Sequence, residues 1–503
     1  MQQDSCNNAI DGQLKFATEN KAHLLFLIFF LTHLFVFMPM LARYGYRWDE
    51  ILDFTGAATD TYVANGRWMQ AILRIILGEG VHPWTSPLLA CVVLSATSVM
   101  QCKIFRWGSF YRSMAYGIAA VILYQYAFVM QYAHQSDTIA IGMLLSTIAV
   151  QYLIEKEFSW KTLVGILFIC LAISIYQSLG LYVVTLLLIW GILECSRGEG
   201  RKVYVVAIKS IGTIMIALAM WKIGKECSLM FISEETKECF EYAQASMSNS
   251  SSILEAPLGY TLHYMQLTIK HCVIPEFKME WLYGFTVLPV LLIIIATFRL
   301  QNAKILKLAI IVGALALWIL PFTMILALGN EWPCKPHTRI AEPIAFAGLW
   351  SIAGVMYANC IKCCKHCKAM VFIAMLLLLV RASGSVADIA AMERALFESR
   401  VYNIKQMIRE ADAFVEKNKF SVKHNKYVFF NASTKYEYGS VDFTSSYPAW
   451  YRIRTAQKSD YEKHKEALDR MPCWPSAGSI REDKGEVIIK GNDFGGTQEM
   501  SYL

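Results

Sequence analysis

The chain has 503 residues, of which 55% are hydrophobic and 17% are charged. This composition excludes an ordinary soluble enzyme and indicates a protein whose main solvent is the lipid bilayer. The net charge of +7 reflects short basic loops between apolar stretches. That bias is typical of cytoplasmic loops, so it gives no support to nucleic-acid binding.

Apolar stretches long enough to cross the hydrocarbon core, about 20 residues each, recur along most of the chain. The first, His23 to Ala42, follows a polar segment and lacks a cleavage site, so we predict a retained anchor. The run 162–195 is too long for one crossing, and we divide it at 176–180, where polar and small residues favour a turn. The 11 predicted spans are 22–42, 84–104, 113–133, 138–154, 162–177, 179–195, 204–223, 281–298, 308–328, 343–359 and 370–386.

The loop charges predict an all-α polytopic protein of the bacterial inner membrane with a cytoplasmic N-terminus, residues 1–21. Residues 22–387 form the predicted transmembrane domain. An odd number of spans places residues 388–503 outside, where turn signals predict a small periplasmic domain of α/β or mixed structure. Between Trp48 and Gly78, apolar residues recur at helical spacing, which predicts one or two juxtamembrane helices along the outer surface.

Acidic residues follow the first span directly, at Asp49, Glu50 and Asp53. One interpretation is that they pair with neighbouring arginines and lysines and orient a juxtamembrane helix. The other is a general base, because a carboxylate beside low-dielectric lipid binds a proton more tightly and can accept one from a sugar hydroxyl. The residues at this point leave both interpretations open.

A second polar corner, His134 to Asp137, lies where the third span turns into the fourth. Ser136 or Asp137 could cap the next helix by accepting hydrogen bonds from its free amides. If this corner approaches the first loop, Asp137 and Asp49 would face one cleft from two sides. Capping and catalysis are compatible.

A third group, Lys335, His337 and Arg339, gives positive charge to the outer loop before the tenth predicted span. Arg339 could hold a phosphate in a bidentate fork, with Lys335 as a point charge. The alternative is that these side chains extend to lipid headgroups.

Three segments together resemble the phage-type O-antigen glucosyltransferases of the Gtr type II family, within the GT-C class of polyprenyl-phosphate-sugar-dependent glycosyltransferases. They are Tyr46-Arg-Trp-Asp-Glu leading to Asn65-Gly-Arg-Trp68, then Gln135-Ser-Asp-Thr138, then Tyr176-Gln-Ser178. The resemblance covers about the first 350 residues. It implies a GT-C-like transmembrane domain with its site on the periplasmic face.

The resemblance also implies an activity: transfer of a glucosyl or related hexosyl unit from undecaprenyl phosphate to lipopolysaccharide O-antigen, with inversion and a carboxylate base. The family's acidic pair falls on Asp49 and Glu50, and its Gly-Arg on Gly66 and Arg67. Members of the wider class sometimes use a divalent metal, and the outer carboxylates could bind one. The sequence has no dedicated metal-ligand spacing there, so a divalent cation is left open as a cofactor. The predicted catalytic residues are Asp49, Glu50 and Asp137, and the predicted substrate-binding residues are Asp53, Arg67, His134, Gln177, Lys335, His337 and Arg339.

Two other classes remain as alternatives. A transporter or flippase of lipid-linked saccharide would need charges in mid-span and two similar halves. The sequence has few mid-span charges and no internal repeat. A non-catalytic accessory subunit of polysaccharide export would keep its function without the carboxylates.

Overall fold

The structure is a computed structural model that describes most of the chain. The described residues are 21–42, 58–78, 82, 84–122, 125–130, 135–155, 158–232, 280–301, 303–324, 340–358, 365–418, 427–431, 453–455, 458–472, 479–484 and 486–491.

Helices dominate the described residues, as the apolar sequence requires, because a helix satisfies its own backbone hydrogen bonds where water is absent. The helices before the first gap of more than 40 residues are α1 (Ala22–Ala42), α2 (Ala58–Ala64), α3 (Trp68–Leu77), α4 (Thr85–Phe105), α5 (Phe110–Ile122), α6 (Gln125–Met130), α7 (Ser136–Leu153), α8 (Trp160–Ile175), α9 (Leu179–Ser196) and α10 (Gly200–Leu229). The later ones are α11 (Glu280–Arg299), α12 (Lys304–Ile319), a 3-10 turn (Leu320–Met324), α13 (Ala341–Ala358), α14 (Lys365–Asn418) and α15 (Lys458–Arg470).

Each predicted span overlaps a helix, and the protein has the apolar helices of a membrane protein. Among the described residues, 6 helices are long and apolar enough to cross a membrane by length and composition. They are α1, α4, α7, α9, α10 and the segment Ile373–Ala391 of α14. The full count of 11 crossings and their orientation therefore stay predictions.

The predicted break within 162–195 is confirmed, because α8 ends at Ile175 and α9 begins at Leu179. The residues between them are polar, and they form a turn in which the Leu179 amide donates to the Tyr176 carbonyl at 3.0 Å. The side chain of Arg67, the residue before α3, contacts this turn.

Helix α9 occupies the centre of the bundle and packs against α4, α7, α8, α10, α12 and α13. Its buried apolar residues include Leu186, Ile189 and Leu193, all fully inaccessible. Helix α10 has the opposite character, since Ile211 and Met215 are about two-thirds exposed. In a protein surrounded by lipid, such an apolar face contacts acyl chains rather than water.

The juxtamembrane helices predicted between residues 48 and 78 correspond to α2 and α3 in the described part of that segment. A small cluster of buried residues joins them to the end of α10. It comprises Tyr62, Val63, Ala64, Ala71 and Ile232.

The C-terminal part combines a helix with a small sheet. Helix α14 is continuous over 54 residues and runs through the predicted boundary at residue 387. Strands β1 (Tyr427–Asn431), β2 (Ile453–Thr455), β3 (Ile480–Asp483) and β4 (Glu486–Gly491) form one sheet in the order β2-β1-β4-β3. Strand β1 pairs in parallel with β2 and β4, and β3 pairs antiparallel with β4. The extent and location of a separate C-terminal domain remain predictions.

Candidate functional site

The turn between α2 and α3 is a helix-terminating motif that requires a glycine. The Gly66 amide donates to the Val63 carbonyl at 2.8 Å, and the Arg67 amide donates to the Tyr62 carbonyl at 2.7 Å. These two bonds, with Gly66 at φ +73°, form a Schellman motif. Glycine adopts this left-handed conformation without the cost of a Cβ. The sequence Asn65-Gly-Arg therefore ends one helix and starts the next within three residues.

The same glycine is in close contact with α10. The indole Nε1 of Trp221 donates to the Gly66 carbonyl at 2.9 Å. A Cβ built on Gly66 would lie 3.1 Å from Trp221 Cζ2 and 3.2 Å from Lys225 Cδ. The turn is thus fixed against α10 by packing as well as by its backbone conformation.

Arg67 is held from two sides by the turn between α8 and α9. Its Nε donates to Gln177 Oε1 at 3.3 Å, and its Cζ lies 4.4 Å from the centroid of the Tyr176 ring, a cation–π contact. Gln177 Nε2 in turn donates to the Asn65 carbonyl at 2.5 Å. Within the described residues, the two terminal nitrogens of Arg67 make no hydrogen bond, so a preoriented pair of donors is available to a ligand.

Helix α3 presents its polar face to the protein and its apolar face to the outside. Gln70 and Arg74 are buried, at 0% and 2% exposure. They lie three and seven residues after Arg67, which places all three on one stripe of the helix. Ile75 and Ile76 on the other side are 60% and 69% exposed. A short helix with this distribution fits a position against lipid with its polar stripe directed inward.

The far end of the polar stripe forms a buried ion pair. Arg74 Nη2 lies 3.2 Å from Asp137 Oδ2, and the two side chains are 2% and 3% exposed. The other carboxylate oxygen accepts the Thr138 amide at 2.7 Å. Asp137 is thus the second residue of α7 and holds α3 against the start of that helix. The residue at the N-cap is Gln135, and its side chain makes no capping hydrogen bond, so neither Ser136 nor Asp137 caps α7. The partner of Asp137 is instead Arg74, which local sequence patterns did not indicate.

Buried polar atoms without a partner occur beside both of these contacts. Gln70 Oε1 and Nε2, Ser136 Oγ and Ser178 Oγ are each buried and make no hydrogen bond in the described part of the chain. Ser136 precedes Asp137, and Ser178 follows Gln177. The two contacts that fasten α3 are thus each next to an unpartnered hydroxyl.

The structure brings together three of the predicted site residues: Arg67, Asp137 and Gln177. Arg67 contacts Gln177, which is 110 residues later in the chain, and Asp137 contacts Arg74, which is 63 residues before it on the helix that follows Arg67. The other predicted residues lie outside the described residues, so their positions stay predictions. They are Asp49, Glu50, Asp53, His134, Lys335, His337 and Arg339.

Gln70 and Arg74 belong to this site, although the sequence analysis did not select them. Their spacing could have identified them. Arg67, Gln70 and Arg74 recur with the helical period on a segment whose opposite side is rich in isoleucine. In a soluble protein the isoleucines would face the core, so the direction of the polar face follows only from the membrane environment.

The described residues were also compared with the side-chain groups that hold metal ions. Across the residues that the structure describes, no three histidine, cysteine, aspartate or glutamate side chains form a group that could hold an ion.

Comparison with known proteins gives one family. No curated protein and no solved structure matches the chain. A family model described as Glucosyl transferase GtrII matches residues 38–353, which is more than half of the 503 residues and includes every described side chain of the site. The chain belongs to the glucosyl transferase GtrII family.

Proposed function

We propose that this glucosyltransferase moves a glucosyl or related hexosyl unit from undecaprenyl phosphate to lipopolysaccharide O-antigen on the periplasmic face of the inner membrane. The observation that carries the proposal is the Arg67 guanidinium, which Gln177 and Tyr176 orient while its terminal nitrogens remain available. A planar guanidinium suits bidentate binding of a phosphate oxygen pair.

The surroundings of Arg67 favour a donor that is carried by lipid. The exposed isoleucines of α3, Ile75 and Ile76, lie on the same short helix that begins immediately after Arg67. A polyprenyl chain can contact this apolar face while its phosphate reaches the guanidinium. A nucleotide sugar would leave the apolar face without a substrate contact.

The chemical step is a single displacement at the anomeric carbon. We assign Asp49 as the base that removes the proton from the acceptor hydroxyl, with Glu50 as the alternative. The acceptor oxygen forms the new bond to the anomeric carbon as the bond to the phosphate oxygen breaks, so the configuration inverts. The leaving polyprenyl phosphate takes the bonding electrons, and Arg67 stabilises its developing charge.

Asp137 has a positioning role in this proposal, because Arg74 and the Thr138 amide occupy its two oxygens. The ion pair fastens α3 to the start of α7 and so determines where Arg67 lies. His134, Asp53, Lys335, His337 and Arg339 remain proposed substrate contacts. Family membership favours an enzyme over the transporter alternative.

The proposal is tested with purified protein in nanodiscs, a short-chain polyprenyl phosphoglucose, a nucleotide-linked glucose and an O-antigen saccharide acceptor. We expect transfer from the polyprenyl donor alone, and a loss of about 100-fold or more in Arg67→Ala and in Asp49→Asn. Arg201→Ala, an exposed arginine at the opposite end of α10 from Trp221, is the matched control and should retain full activity. Transfer from the nucleotide donor alone would refute the lipid-linked donor, and full activity in Arg67→Ala would refute the phosphate assignment.

A further inference from the structure

Gln70 is the least satisfied polar side chain of the site. It is completely buried, and neither its Oε1 nor its Nε2 has a hydrogen-bond partner among the described residues. Leaving a buried amide group unpaired costs about 1–3 kcal/mol for each polar group. Native proteins keep such groups rarely, and a functional role or a bound small molecule is among the explanations for one that is kept.

Two serines beside the contacts that hold α3 are also buried and unpartnered. Ser136 is completely buried and Ser178 is 2% exposed, and the hydroxyl of each lacks a partner in the described part of the chain. Gln70 lies on α3 between the residue that contacts Gln177 and the residue that contacts Asp137. Ser178 follows Gln177 and Ser136 precedes Asp137, so each of these contacts is next to one of the two serines, with Gln70 between the contacts on α3.

The chemistry of these groups indicates which ligand they suit. A glutamine amide offers two donors and an acceptor, and a serine hydroxyl offers one donor and acceptor sites. None of the three is charged, so they match a neutral ligand with several hydroxyl groups better than a phosphate. Arg67, at the start of the same stripe, supplies the positive charge that a phosphate needs.

We propose that Gln70, Ser136 and Ser178 form the subsite that binds the hydroxyl groups of the transferred hexose, next to the phosphate contact at Arg67. This inference rests on the proposed function and adds the residues that recognise the sugar. A site built to hydrogen-bond a hydroxyl discriminates strongly against sugars that lack it, because its own buried groups then stay unpaired.

The test compares Gln70→Met with Gln151→Met, an exposed glutamine near the far end of α7. Methionine keeps the side-chain length and removes both polar atoms of the amide. Thermal unfolding of each protein in nanodiscs is measured without ligand, with short-chain polyprenyl phosphate, and with the corresponding phosphoglucose. The sugar-dependent increment is the difference in Tm between the last two conditions, and it reports the added affinity due to the hexose.

We expect wild type and Gln151→Met to show the same sugar-dependent increment. Gln70→Met should respond normally to the bare phosphate but bind phosphoglucose about tenfold more weakly than wild type does. Its ligand-free Tm should equal or exceed that of wild type, because an unsatisfied amide has been removed.

Two other outcomes overturn the inference in different ways. A full increment in Gln70→Met would mean that Gln70, Ser136 and Ser178 hold water only, while the proposed function would stand. The absence of any increment in wild type would refute the lipid-linked glucose donor itself, and the sugar subsite with it.

Discussion

Two fully buried glutamines, Gln101 and Gln70, differ in the hydrogen bonds that their side-chain amides make. Gln101 of α4 donates to the Tyr182 hydroxyl at 2.5 Å and accepts from the Tyr116 hydroxyl at 2.9 Å. Gln70 of α3 has no partner for either amide atom among the described residues. Gln101 therefore joins three helices in a saturated network, whereas Gln70 keeps its hydrogen-bonding capacity unused.

The difference distinguishes buried polar groups that stabilise the fold from those that are available to a ligand. A saturated buried network stabilises and specifies a helix arrangement, because breaking it leaves hydroxyls unpaired in a low-dielectric interior. An unsaturated one lowers stability, and it is kept where a ligand completes it. Variants of the two kinds of residue test this distinction.

The ion pair that fastens α3 should show the largest effect on stability. Arg74→Met leaves the buried Asp137 carboxylate without its partner, and we expect a loss of about 3–5 kcal/mol in the free energy of unfolding. Denaturant unfolding in micelles measures it. The control is Arg394→Met, which breaks a pair with Glu398 whose side chains are 52% and 61% exposed, and which should cost less than about 0.5 kcal/mol. Equal losses in the two variants would show that the Arg74–Asp137 pair is not a buried anchor.

The turn that carries Arg67 comes next. Gly66→Ala forces a Cβ into a left-handed backbone and against Trp221, so we expect a loss of about 2 kcal/mol in unfolding free energy. Gly212→Ala on α10, where a Cβ would meet nothing within 4 Å, is the matched control and should be neutral or slightly stabilising. Intrinsic fluorescence during urea unfolding distinguishes them. A neutral Gly66→Ala would contradict the close packing of the turn on α10.

The saturated glutamine provides the direct contrast to Gln70. Gln101→Met removes the partners of the Tyr116 and Tyr182 hydroxyls, so we expect a loss of about 1–2 kcal/mol in unfolding free energy. Its sugar-dependent increment in Tm should match that of wild type. The comparison would fail if Gln101→Met lost the increment while Gln70→Met kept it.

The two serines should have the smallest effect. Ser136→Ala and Ser178→Ala each remove one unpartnered hydroxyl, so the unfolding free energy should change by less than about 0.5 kcal/mol. We expect each to reduce the sugar-dependent increment in Tm by less than Gln70→Met does. Isothermal titration calorimetry with phosphoglucose would measure the corresponding loss of affinity. A strong loss of stability in either variant would indicate that its hydroxyl has a structural partner.

The sequence allowed some of this arrangement to be predicted. The break at 176–180 was readable because polar and small residues interrupt an apolar run too long for one span, and α8 and α9 are separated there. Arg67 and Gln177 were selected as substrate residues, and they are in contact. Both inferences used local signals, either hydropathy or a short motif.

Other features depend on long-range packing that local patterns do not encode. The Arg74–Asp137 pair joins residues 63 positions apart, so the arginine partner could not be read from the corner His134 to Asp137. The end of apolar character near residue 386 marks the predicted domain boundary. Helix α14 nevertheless continues to Asn418, because the residues that follow are mostly good helix formers and include no proline.

The placement of the phosphate site at Arg67 is tested by the O-antigen mass of cells that express wild type, Arg67→Ala or Arg201→Ala at equal membrane abundance. We expect an added hexose with wild type and with Arg201→Ala, and none with Arg67→Ala. An added hexose with all three proteins would contradict the placement of the phosphate site at Arg67, and none with wild type would contradict the proposed transfer to O-antigen.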